Sequence, residues 1–177
     1  MGMIKTPEGG VRLMHALAES TIAALKLRGL TVATCESLTG GLVAGRITDI
    51  PGSSDVFECG FVTYSDRVKH SQVGVPEETL RQHTAVSLET AAAMAEGTLA
   101  RSGASLALST TGVAGPDDLP HAEVGTVYSA VAGPLGTRAV KLPMIHSRDR
   151  AYNRTMAASK ALDLLRRYLL EMKQQQG

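Results

Sequence analysis

The stretch Leu30-Thr31-Val32-Ala33-Thr34-Cys35-Glu36-Ser37-Leu38-Thr39-Gly40-Gly41-Leu42-Val43-Ala44-Gly45-Arg46-Ile47-Thr48 decides the fold. Leu30 to Thr34 is short and rich in β-branched residues, which predicts a strand. Cys35 to Thr39 reads as a turn. Gly40 to Thr48 reads as a helix, stopped by Asp49-Ile50-Pro51-Gly52. A strand that passes through a tight turn into a helix is the repeating unit of a layered α/β domain.

The flanking sequence continues the alternation. Upstream, Met14, Leu17, Ala18, Thr21, Ile22 and Leu25 recur at helical spacing, so Val11 to Arg28 is a helix capped by Gly29. Downstream, Val56 to Tyr64 reads as a strand, Asp66 to Gln72 as a short helix and Pro76 to Gln82 as the start of another. Ser87 caps an Ala-rich helix that runs to about Ser102. Ala104 to Thr110 is a buried strand, and Thr111 to Glu123 a loop of Gly, Pro and Asp. Val124 to Ala132 and Thr137 to Leu142 form a hairpin across Gly133-Pro134-Leu135-Gly136. Arg148 to Gln174 closes the domain as a long helix with Ala157, Ala161, Leu164, Leu165 and Leu169 inward. A hairpin requires an antiparallel pair, so the sheet is mixed. The expectation is one α/β domain over 11–172, after a flexible start over 1–10.

Composition narrows the function. The chain has 177 residues, 44% of them hydrophobic, and a formal net charge of +1. No broad basic field is available for a nucleic acid, and with no Trp and two Phe the chain lacks a base-stacking platform. No apolar run is long enough to cross a bilayer. Cys35 and Cys59 lie in different segments, too sparse for a secreted disulfide framework, so a cytoplasmic setting is expected. Gly2 and Thr6 fit the myristoylation pattern, which is short and common by chance. The five histidines have no metal-ligand spacing.

Sites in open α/β sheets gather near strand ends, which singles out three loops. Ser37 is open to two readings: a helix cap, or a nucleophile beside helix-terminal amides that favour negative charge. That segment alone favours the cap. Gly40 and Gly45 have P-loop spacing, but Arg46 and Ile47 replace the Lys and Ser/Thr that bind phosphate and magnesium, so no NTPase is implied. Tyr64 and Lys69 flank a strand end and a short helix. A lysine becomes a base for a serine only when burial or a neighbouring cation lowers its pKa; a solvated surface lysine is the alternative. Tyr64 could relay the proton or hold the lysine. Thr111, Gly112 and Gly115 lie in a loop whose amides could stabilise an oxyanion, or which is an ordinary surface loop. Cys35 reads as a buried, inert thiol. No Gly-x-Ser-x-Gly elbow or Ser-x-x-Lys motif is present.

At these segments the sequence resembles the C-terminal domain family of the competence/damage-inducible protein CinA. The likeness runs from about Val11 to Leu170. Its marks are Glu36-Ser37 with Thr39-Gly40-Gly41, Thr48-Asp49-Ile50-Pro51-Gly52-Ser53-Ser54, Tyr64-Ser65 with Lys69, and Gly74-Val75-Pro76. They continue with Ala85-Val86-Ser87, Thr111-Gly112-Val113-Ala114-Gly115-Pro116 and Val124-Gly125-Thr126-Val127-Tyr128. The resemblance implies a three-layer α/β/α sandwich with a mixed, mostly parallel sheet. It also implies a nicotinamide-nucleotide amidohydrolase with Ser37 as nucleophile and Tyr64 and Lys69 as its partners, and without a cofactor or metal. The implied reaction turns nicotinamide mononucleotide into nicotinic acid mononucleotide and ammonia. Backbone amides at Gly112 or near Thr39 would hold the oxyanion. Arg150, Arg154 and the helix terminus at Thr39, Gly40 and Gly41 would hold the nucleotide phosphate. Family members commonly associate, so a homodimer is expected.

The sequence departs from the family pattern in places. Cys35 and Leu38 stand where the family usually has Ala and Cys. Asp117-Asp118-Leu119-Pro120 replaces a glycine run, and Arg148 replaces a usual Gly. Carboxylates facing the pocket would repel a phosphate. Two other readings therefore accompany the first: an amidase for a different small amide, and a non-catalytic member that binds a nucleotide or a partner.

Overall fold

Five strands alternate with six helices in a computed structural model that describes residues 7–145 and 147–174. The order is α1 (Pro7–Arg28), β1 (Val32–Glu36), α2 (Leu42–Thr48), β2 (Phe57–Val62), α3 (Asp66–Val73), α4 (Glu77–His83), α5 (Leu88–Ser102), β3 (Leu106–Gly112), β4 (Val127–Ala132), β5 (Arg138–Lys141) and α6 (Arg150–Gln174). A 3₁₀ turn at Ser53–Asp55 leads into β2. The strands lie in the order β2-β1-β3-β4-β5. β1 is parallel to both β2 and β3, whereas β4 is antiparallel to β3 and to β5. Four strands thus run one way and β4 opposes them.

Strand periodicity builds the layers, because alternate side chains leave opposite faces of a sheet. From β1 and β3, Val32, Leu106 and Leu108 meet Ile22 and Leu25 of α1, Ile47 of α2, and Leu162 and Leu165 of α6. On the other face Cys35 meets Val73 and Met94, while Ala130 and Ala132 meet Ala91 and Ala95 of α5. The result is a three-layer α/β/α sandwich. Gly97 of α5 allows α3 to approach closely: a Cβ there would lie 1.6 Å from the Val73 carbonyl oxygen. No helix among the described residues is long and apolar enough to cross a membrane.

Several boundaries shift from the sequence reading. α1 already begins at Pro7, so 7–10 are helical, and the rest of the expected flexible start lies outside the described residues. β1 is displaced toward the C-terminus, because Leu30 N–H closes α1 by donating to Leu25 O, and the chain stays extended through Cys35 and Glu36. α2 starts at Leu42: Gly40 and Gly41 take φ of 60° and 95°, a left-handed conformation outside any right-handed helix. β4 starts at Val127, not Val124. α6 starts at Arg150, after Asp149 accepts from the amides of Ala151 and Tyr152.

Candidate active site

The end of β1 delivers two side chains in opposite directions. Glu36 turns to the α2 side, where its carboxylate accepts from Val43 N (2.8 Å) and Ala44 N (2.9 Å). Ser37 follows on the other side. Its amide extends the ladder by donating to Thr110 O (3.0 Å), and its side chain opens into a cavity. Ser37 is therefore not the helix cap; the buried Glu36 is.

Lys69 reaches the same cavity from α3. Ser65 caps that helix by accepting from Val68 N, and Lys69 and Val73, four residues apart, form its buried face. Lys69 is 1% exposed. Its Nζ lies 3.3 Å from Ser37 Oγ, 3.0 Å from Thr63 O and 3.4 Å from Tyr64 O. Burial pushes its pKa below the ordinary lysine value; Asp66, whose carboxylate is 3.8 Å away, and Cys35 pull it back up without cancelling the effect. Burial also raises the Cys35 pKa, so Cys35 is a buried neutral thiol, 3.3 Å from Thr63 Oγ1.

Of the two roles open to Tyr64, contact with the lysine is made by its carbonyl and not its phenol. Its carbonyl meets Lys69; the residue is 59% exposed, and its phenol accepts from Arg150 Nη2 (2.8 Å). The phenol has no hydrogen bond to Ser37 or Lys69, which leaves it at the rim of the cavity and not in a proton relay. Arg150 also donates from Nη1 to Gly115 O (2.7 Å). Three of its five N–H donors have no partner among the described residues.

Arg154 and the α2 terminus are engaged by the protein's own backbone and side chains. The Arg154 guanidinium donates to Leu38 O and Thr39 O, both at 3.0 Å, and does not line the cavity. The carboxylate of Glu36 already occupies the α2 amides. Thr39 is fully buried, with its hydroxyl 2.8 Å from that of Thr110. Gly40 and Gly41 serve the backbone turn. The third loop is likewise mostly structural: Thr111 Oγ1 donates to Ala85 O (2.6 Å), and a Cβ on Gly112 would stand 2.5 Å from Thr126 O. Gly115 contributes its carbonyl, not its amide, by holding Arg150.

Ser37, Leu38, Tyr64, Asp66, Lys69, Thr111, Gly112, Gly115, Asp117 and Arg150 are among the residues that line this cavity of about 360 Å³. The loop carboxylates separate: Asp117 faces the cavity, while Asp118 accepts from Val124 N and pairs with Arg148. Among the described residues no three of His, Cys, Asp and Glu converge on a metal position. Sequence reasoning missed the roles of Glu36 and Arg154. Strand parity was the available signal for Glu36, since it puts residues 36 and 37 on opposite faces.

Comparison with known proteins gives consistent matches. A family model described as the CinA C-terminal domain matches residues 14–169. A CinA-like protein of Frankia casuarinae is 51% identical over 144 residues, which is 80% of this chain and 32% of that protein. The chain spans about a third of the length of the curated relatives it matches. The crystal structure of competence/damage inducible protein CihA from Agrobacterium tumefaciens is 37% identical with a TM-score of 0.82, over 93% of this chain and 97% of that one. A CinA superfamily protein from Klebsiella pneumoniae is 29% identical with a TM-score of 0.85, over 89% and 98%.

Proposed function

The chain belongs to the CinA C-terminal domain family, and from that premise we propose that it is a serine amidohydrolase acting on the carboxamide of nicotinamide mononucleotide. The observation that carries the reading is the contact between Ser37 Oγ and a buried Lys69 amine at 3.3 Å. A neutral amine has two N–H groups and one lone pair. Lys69 Nζ faces Ser37 Oγ, Thr63 O and Tyr64 O; in its neutral form two N–H groups can go to the two carbonyls, and the lone pair can accept the Ser37 proton.

In this mechanism Ser37 Oγ attacks the carboxamide carbon as its proton passes to Lys69, which becomes an ammonium. The carbonyl oxygen becomes an oxyanion. Collapse of the adduct breaks the C–N bond, and Lys69 returns the proton to the leaving nitrogen, releasing ammonia. Water then attacks the acyl-serine ester. Lys69 takes a proton from the water and gives it back to Ser37 Oγ, completing nicotinic acid mononucleotide. The cationic pyridinium of the substrate further disfavours a charged Lys69. Arg150, held by Gly115 O and Tyr64 Oη, offers its remaining donors to the phosphate.

The test measures ammonia release from nicotinamide mononucleotide, nicotinamide and glutamine. The nucleotide is expected to be the preferred substrate. Arg150→Met is expected to raise its KM by roughly 10- to 100-fold, the size of a lost charged hydrogen bond, and to leave the phosphate-free amide unaffected. Preference for glutamine or free nicotinamide would remove the nucleotide assignment while retaining an amidase.

A further inference from the structure

The cavity that holds Ser37 carries charges that the serine chemistry does not use. Its ionisable walls are Asp66, Lys69, Asp117 and Arg150, with the Tyr64 phenol at the rim. The carboxylates and the guanidinium share this space without pairing. Arg150 donates to Gly115 O and Tyr64 Oη, both neutral acceptors. Asp117 accepts no hydrogen bond and meets no cation among the described residues. Asp118, next in the chain, behaves differently: it accepts from Val124 N and pairs with Arg148. Asp66 has only the Lys69 amine, at 3.8 Å, which is beyond hydrogen-bond reach. Its side chain is not needed as the helix cap either, because Ser65 caps α3. With Lys69 uncharged, as activation of the serine requires, two carboxylates stand against one guanidinium. Such walls repel a wholly anionic ligand and offer a neutral one no charge attraction. They complement a molecule that carries a cation in one part and an anion in another.

We propose that Asp66 and Asp117 are specificity-determining residues that select amides borne on a positively charged ring, while Arg150 takes an anionic group of the same molecule. This deepens the serine-amidohydrolase reading above and rests on it. In a pyridinium carboxamide the ring cation lies only a few bonds from the carbon that Ser37 attacks. A ring seated for attack therefore brings its charge close to Asp66, whose carboxylate meets the Lys69 amine that meets Ser37 Oγ. A neutral Lys69 leaves Asp66 without a cation, and the ring supplies one. Asp117 adds a second carboxylate to the same cavity from the loop after Gly115-Pro116. Both act through charge, without proton transfer, in a space partly shielded from water.

The test compares wild type, Asp66→Asn, Asp117→Asn and the double variant in ammonia release from 1-methylnicotinamide and from nicotinamide. The two amides differ in ring charge and both lack a phosphate. Asparagine keeps the size of the side chain and removes its charge. The quantity read is the ratio of kcat/KM for the cationic amide to that for the neutral one. Ring charge also alters the reactivity of the amide itself, but that effect is common to all variants and cancels between them. So does any change that Asp66→Asn makes in Lys69 as a base. The ratio is expected to fall by about threefold to tenfold in each single variant, the size of a partly screened charge pair, and by roughly the product of the two in the double. Inhibition by inorganic phosphate gives a reading of opposite sign: it should tighten in the same variants, because two repelling charges are gone. A double variant that keeps the wild-type ratio would overturn the inference and leave the amidase reading standing. A proportionate loss toward both amides, with weaker phosphate inhibition, would make the carboxylates structural and overturn it as well. A wild-type chain that releases ammonia from neither amide nor from nicotinamide mononucleotide would remove the amidase reading itself, and this inference with it.

Discussion

Ser37→Ala is expected to lower kcat by about 10⁴- to 10⁶-fold, as loss of a covalent nucleophile does in other serine hydrolases, and to leave substrate binding largely intact. The two effects separate because the side chains that would grip the nucleotide are elsewhere. Arg150 is held by Gly115 O and Tyr64 Oη, neither of which the Ser37 hydroxyl touches. The backbone of residue 37 also stays in place, since its amide donates to Thr110 O whatever the side chain. Ammonia release reads the first effect and equilibrium binding of the nucleotide to the inactive variant reads the second. An alanine variant that turns over at the wild-type rate would move the chemistry off this residue.

Lys69→Met is expected to lower kcat by about 10²- to 10⁴-fold, the range for loss of a general base, in a chain that still folds. Methionine keeps most of the apolar stem that packs in the interior. Two carbonyl oxygens, of Thr63 and Tyr64, lose their donor, while the desolvation of an amine is relieved, so the stability terms oppose each other. The sign of the pH dependence follows from burial. The folded pKa of Lys69 lies below its ordinary value of 10.5. Between those two values the unfolded chain binds the extra proton, so the contribution of Lys69 to stability rises with pH across that window. It is least favourable below the folded pKa, where folding must bury a charge. That slope should disappear in the methionine variant, which chemical denaturation at several pH values would reveal.

Much of the fold was legible because local signals agreed. The β-branched run before Cys35, the Gly133-Pro134-Leu135-Gly136 turn and the Ser87 cap each fall in or beside the element they predict. Boundaries moved where a local hydrogen bond overruled composition, as at Leu30 and at Gly40-Gly41. The site was legible as residue types but not as geometry. Lys69 reads from sequence as a surface lysine until α3 folds its buried face onto Thr63 and Ser37. The groups assigned to a phosphate at Arg154 and the α2 terminus meet internal partners that sequence does not reveal. Arg154 meets two backbone carbonyls, and Glu36 takes the α2 amides. A buried carboxylate beside a nucleophile is hard to anticipate, because isolated Glu residues are seldom fully buried. For Tyr64, the carbonyl and the phenol meet different partners, Lys69 and Arg150, and sequence cannot say which end meets the lysine.

The pH profile of kcat/KM for ammonia release by the wild-type chain is the most direct probe of how the serine is activated. A limb that rises tenfold per pH unit and levels off below 10.5 is the expected result, with Lys69→Met lacking that limb. A rate still climbing through 10.5, as for a lysine in open water, would contradict an uncharged amine serving as the base.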